Sequence, residues 1–164
     1  MNAFNKYEKF VIQLSKWFNV VAGIAMVSML VLVTADIIAN KAFKSPIPGG
    51  IEFVSFLAVA AIAFAIAQTQ LVRGHIEVEF IAARLPSLAQ KIIGTLVNIF
   101  LIVLFFLLAW RSFIYGNEIR LVGEVSMTRG IPFYPFIYAI GACSIVALLV
   151  VILQLLQIYI KGDK

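Results

Sequence analysis

Residues 45–65, SPIPGGIEFVSFLAVAAIAFA, run two prolines and two glycines into an unbroken apolar stretch, with one acid, Glu52, just past the turn. How this stretch folds decides the rest of the chain. Over residues 60–67 small and bulky side chains partly alternate, which is the period of a strand. The charge-free run is longer than that, covering residues 53–72, and about 20 residues at about 1.5 Å each cross a hydrocarbon core as a helix. A lone apolar strand leaves its amides and carbonyls unpaired in lipid, whereas a helix satisfies them internally. The stretch therefore predicts a membrane-spanning helix entered through a Pro-Gly turn.

Three more stretches lack Asp, Glu, Lys and Arg for a comparable length, at residues 17–35, 92–110 and 130–160. Pro132 and Pro135 make the first residues of the last one irregular, with regular helix from near Phe136. With their flanks, the spans are placed at residues 17–39, 51–72, 91–115 and 134–160. Composition agrees: 63% of the 164 residues are hydrophobic and 13% charged, against about 45–50% and about 25% in soluble domains. The fold class expected is an all-α integral membrane protein, with residues 1–164 forming a single four-helix domain. The first apolar run exceeds the about 7–15 residues of a signal peptide core, so it is read as a retained anchor. Cys143, the single cysteine, lies inside the fourth span, which excludes an intrachain disulfide and a cysteine metal cluster.

Four spans put both termini on one side. That face holds Lys6, Lys9, Lys16, Arg73, Arg84, Lys91, Lys161 and Lys164, against Lys41, Lys44, Arg111, Arg120 and Arg129 on the other. The excess places the termini in the cytoplasm. Trp17 and Tyr159 suit one interface, and Trp110, Tyr115, Tyr134 and Tyr138 the other. The net charge of +5 is spread over span ends rather than gathered into a stripe, so the lipid bilayer is the expected partner and nucleic acid is not.

Residues 1–16 set Phe4, Tyr7, Val11 and Leu14 at helical spacing, which suggests an amphipathic helix lying on the membrane surface. The middle loop, RGHIEVEFIAARLPSLAQK, is too polar to span and too apolar for a simple linker. It is read as a second interfacial helix, with His75, Glu77 and Glu79 facing water or a partner. A metal there is disfavoured, because alternate residues on a helix diverge and no second histidine exists. After the third span, Arg111, Tyr115 and Glu118 share a face if the helix continues. Local ion pairing and partner docking both fit that loop, which also carries Arg120, Glu124 and Arg129.

The spans contain little that handles ions or solutes. Asp36 and Glu52 sit near one interface rather than at the midplane, where a transport pathway places its charges. With one interfacial histidine, neither paired haem ligands nor a catalytic triad can be assembled. The second span repeats alanines at four-residue spacing, Ala61 with Ala65 and Ala63 with Ala67. This permits close helix packing, within the chain's own bundle or against another subunit.

Three segments carry a family resemblance: PIPGGIEFVSF entering the second span, RGHIEVEFIAARLP leaving it, and GEVSMTRGIPFYPFIYAIG entering the fourth. In order and in span layout the whole chain resembles the small membrane subunit of TRAP transporters, the DctQ-like family. The resemblance implies no enzyme activity, no cofactor and no substrate site in this chain. It implies a static scaffold in the bacterial inner membrane, with three kinds of partner: the lipid bilayer, a large DctM-like membrane subunit and a periplasmic substrate-binding protein. The large subunit is the expected holder of the sodium ions and of the organic acid, a C4-dicarboxylate or sialic acid. By motif, Gly50 and Glu52 match the family's head of span two; Gly74, His75, Ile76, Val78 and Glu79 match its Gly-His pattern, often ended by Asp; and Glu124, Ser126 and Pro132 match the approach to span four. Arg129 stands where the family is more often apolar. The candidate subunit or receptor contacts are therefore Asp36, Gly50, Glu52, His75, Glu77, Glu79, Arg120, Glu124, Ser126 and Arg129. The competing reading is an autonomous four-span transporter acting as an oligomer, for which Asp36 is the nearest candidate carboxylate.

Overall fold

The structure, a computed structural model, describes residues 2–72 and 87–160. Four helices account for most of them: α1 (Asn2–Phe43), α2 (Gly50–Leu71), α3 (Ser87–Val122) and α4 (Tyr134–Ile160). Each contains a segment long and apolar enough to cross a membrane. Pro135 is accommodated in the first turn of α4, where a missing N–H removes no intrahelical bond. At about 1.5 Å per residue, α2 with its 22 residues matches a core about 30 Å thick, while α1 with 42 overshoots it about twofold.

That length carries a correction. A separate interfacial helix was expected over residues 1–16, but α1 runs without a break from Asn2 into the first span. Val11 and Ser15 are fully buried, and the Tyr7 hydroxyl donates to the Leu149 carbonyl at 3.0 Å. The same apolar spacing serves a surface helix or an extension that packs on a neighbour, and here the neighbour is α4. The expected second interfacial helix, with His75, Glu77 and Glu79, lies outside the described residues.

The helices are arranged in the order α1, α2, α4, α3, with α2 and α4 central and α1 and α3 on the flanks. Side-chain size explains why α2 and α4 come together. Ala67 and Ala147 are fully buried in a core with Phe105, Val146 and Val151, into which Leu14 and Phe18 of α1 also reach. A second cluster joins Val11 to Val150 and Leu153. The stripe formed by Ala63 and Ala67 is thus spent inside the chain. On the far side, a Cβ on Gly116 of α3 would stand 2.8 Å from the Tyr138 ring of α4. A side chain there would push the two helices apart.

The flanks are bare by comparison. Trp17, Ile24 and Val31 of α1, and Phe100, Phe106 and Trp110 of α3, are more than half exposed. Apolar surface on this scale is not kept in water, and lipid or another membrane subunit covers it.

Candidate functional site

Among the described residues, the predicted contact residues converge at the end of the bundle that carries the two short loops, 44–49 and 123–133. The first loop begins where Lys44 turns α1 off at φ 51°, the left-handed geometry that commonly ends helices. Asp36, two turns earlier, accepts a hydrogen bond from the Ile47 backbone N–H at 2.7 Å. Its carboxylate also lies 3.4 Å from where a Gly50 Cβ would stand, so Asp36 folds the loop back over its own helix. Gly49 then takes φ 79°, and the Gly50 N–H bonds to the Ile47 carbonyl at 2.9 Å as α2 begins.

The second loop is a short hairpin. Val125 and Pro132 form an isolated bridge, the Ser126 N–H donates to the Ile131 carbonyl at 2.9 Å, and the Gly130 N–H donates to the Ser126 carbonyl at 3.0 Å. Glu52 joins the two loops. One oxygen of its carboxylate accepts from the Ser126 hydroxyl at 2.6 Å and the other from the Thr128 backbone N–H at 2.8 Å. Arg129 completes the clasp from the opposite direction, its Nε donating to the Pro48 carbonyl at 3.0 Å. A Cβ on Gly49 would stand 2.7 Å from Arg129 Cγ. Only glycine allows both the left-handed backbone and the close passage of that arginine. Below the clasp, Phe56 stacks on Phe136 at 4.2 Å between ring centroids.

Asp36, Gly50, Glu52, Ser126 and Arg129 thus form one assembly. The donors to Glu52 are a hydroxyl and backbone amide, not Lys41 or Lys44, which are exposed. The side chains of Arg120 and Glu124 are exposed outside the assembly. Helix α3 does continue to Val122, so Arg111, Tyr115 and Glu118 share an exposed face.

At the opposite end, most contacts are between neutral groups. Ser15 of α1 donates to Gln68 of α2 at 3.0 Å. Gln70 of α2 donates to the Gln154 side-chain oxygen at 2.9 Å, and Gln154 returns a bond to the Gln70 backbone carbonyl at 2.6 Å. Gln157 donates to Glu8 at 3.0 Å. Sequence reasoning missed Gln154; the available signal was an amide, with Gln157 one turn later, in an otherwise largely apolar span.

Among the described residues the arrangement braces loops and helices, and no group of three or more His, Cys, Asp or Glu is gathered that could hold a metal ion. A family model described as "Tripartite ATP-independent periplasmic transporters, DctQ component" matches residues 29–160. The chain belongs to that family. The matched segment contains the whole clasp, from Asp36 to Pro132, so a DctQ component here is a multi-pass membrane subunit of a TRAP transporter whose two short loops are locked together. No curated protein matches the chain.

Proposed function

We propose that this DctQ component is the non-catalytic scaffold of a sodium-coupled TRAP transporter for organic acids, of the C4-dicarboxylate or sialic acid class. It sits in the bacterial inner membrane with both termini in the cytoplasm. Its bare flanks brace a large, elevator-type DctM-like subunit, and its clasped loop end helps dock the periplasmic substrate-binding protein. Sodium and substrate are handled by the large subunit.

One observation carries this reading. Asp36 and Glu52, the two carboxylates at the membrane edge, both accept hydrogen bonds from the chain's own loops. Acids that hold a fold in place are poor shuttles for ions, because releasing them undoes the structure. The test is solute uptake by the large subunit and binding protein in proteoliposomes, with and without this chain. Uptake is expected to be lost on omission, and unchanged uptake would overturn the scaffold role. Glu52→Gln is expected to insert normally and to lower the yield of assembled complex on mild extraction. Wild-type yield and uptake in that variant would reduce Glu52 to a favourable charge at a helix start.

A further inference from the structure

The Ser126–Gly130 turn holds more donors aimed at one point than a hairpin needs for its own closure. The hairpin is already closed by the Ser126 N–H to Ile131 and Gly130 N–H to Ser126 bonds. The Ser126 hydroxyl oxygen also accepts from the Ile131 N–H at 3.4 Å, which leaves its proton and the Thr128 N–H, and both are donated to the Glu52 carboxylate. A tight turn that aims a backbone N–H and a hydroxyl at one point offers an anion a concave site, and hydrogen bonds to an ionised acceptor are about twice as strong as neutral ones. Gly130, at φ 66°, supplies the left-handed residue that lets the turn curl this far. Glu52 reaches it from a helix 74 residues away in sequence.

We propose that residues 126–130 are a carboxylate receptor in their own right, with the Glu52 side chain as its resident ligand. The turn binds the anion itself, and the glutamate's stem serves to deliver it. A small free carboxylate then replaces the function of Glu52 once the side chain is cut back. Formate is the probe, because it is the smallest carboxylate.

The experiment uses the full chain in detergent, with Cys143→Ala removing the native thiol and Met127→Cys carrying a nitroxide. Met127 is fully exposed at the hairpin tip, so the label sits clear of the contacts. In the otherwise intact chain the label is expected to be ordered. Glu52→Ala is expected to raise its mobile fraction about threefold to tenfold, the range for losing charge-assisted bonds at an exposed site. Formate at high concentration reverses most of that rise, while chloride at equal ionic strength leaves it in place. The Thr128 amide proton resonance, displaced in Glu52→Ala, returns toward its original position with formate. Ser126→Ala combined with Glu52→Ala weakens the response to formate severalfold.

An ordered label in Glu52→Ala without formate would overturn the proposal, since the turn would need no ligand. A mobile label that ignores formate would overturn it equally, leaving Glu52 a tether rather than a ligand. Should Glu52→Ala fail to fold, Ser126→Ala alone decides: it is expected to raise mobility and shift the Thr128 amide while Glu52 is present. No change in either quantity would count against a receptor that uses the Ser126 hydroxyl.

Discussion

The two ends of the bundle are held together in different ways. At the loop end, two carboxylates bind irregular backbone: Asp36 takes the Ile47 N–H, and Glu52 takes Ser126 and Thr128. At the terminus end, side chains join helix to helix, mostly neutral ones, through Ser15, Gln68, Gln70 and Gln154, with the Glu8 carboxylate accepting from Gln157. The difference follows from what each end must satisfy. Loops expose backbone N–H groups that no helix pairs, and an ionised acid near the membrane edge is their strongest acceptor. Inside the helical bundle the backbone is already paired, and an unionised amide links neighbours without burying a charge.

The sharpest way to break the loop end is through its backbone. Gly49→Val puts a β-branched residue at φ 79° and drives a Cβ into Arg129; a loss of about 3 kcal/mol is expected in a denaturing-detergent titration. A much smaller shift would mean that the clasp tolerates displacement of Arg129. The terminus end is expected to respond less. Gln154→Leu removes both bonds to Gln70 and is expected to cost about 1 kcal/mol, the usual scale for polar contacts between membrane helices. Because that variant strands the buried Gln70 amide, adding Gln70→Leu should recover part of the loss. Strict additivity in the same titration would deny the pairing.

The smallest effect separates charge from geometry at the first loop. Asp36→Asn keeps an acceptor oxygen for the Ile47 N–H and is expected to change stability by under about 0.5 kcal/mol, whereas Asp36→Ala loses about 1 kcal/mol. Equal losses in the two would show that the charge of Asp36 matters beyond the bond it accepts.

Much of the architecture was legible in the residues. Charge-free runs located the spans because lipid imposes length and apolarity on each helix separately, and Gly49 and Gly50 marked the turn before α2. The amphipathic spacing of Tyr7, Val11 and Leu14 was legible too, but its meaning was not. A periodic apolar face states that something covers it, and both lipid headgroups and α4 meet that description. Glu52 was placed at a helix start and grouped with Ser126 and Arg129 as a candidate contact. Their hydrogen bonds were not visible, because nothing local in PGGIE specifies a partner 74 residues later. Gln154 escaped for the same reason, its partner lying 84 residues upstream.

The sequence by itself determined an all-helical chain with four segments long and apolar enough to span a membrane, since each span answers to the bilayer alone. Its segments also carried the resemblance to the small TRAP subunit. Only the tertiary structure decided that α1 continues along α4, that Ala63 and Ala67 of α2 are used internally, and that Glu52 ties the head of α2 to the second loop. Those outcomes depend on which surfaces meet, and that is a property of helix packing rather than of any one segment.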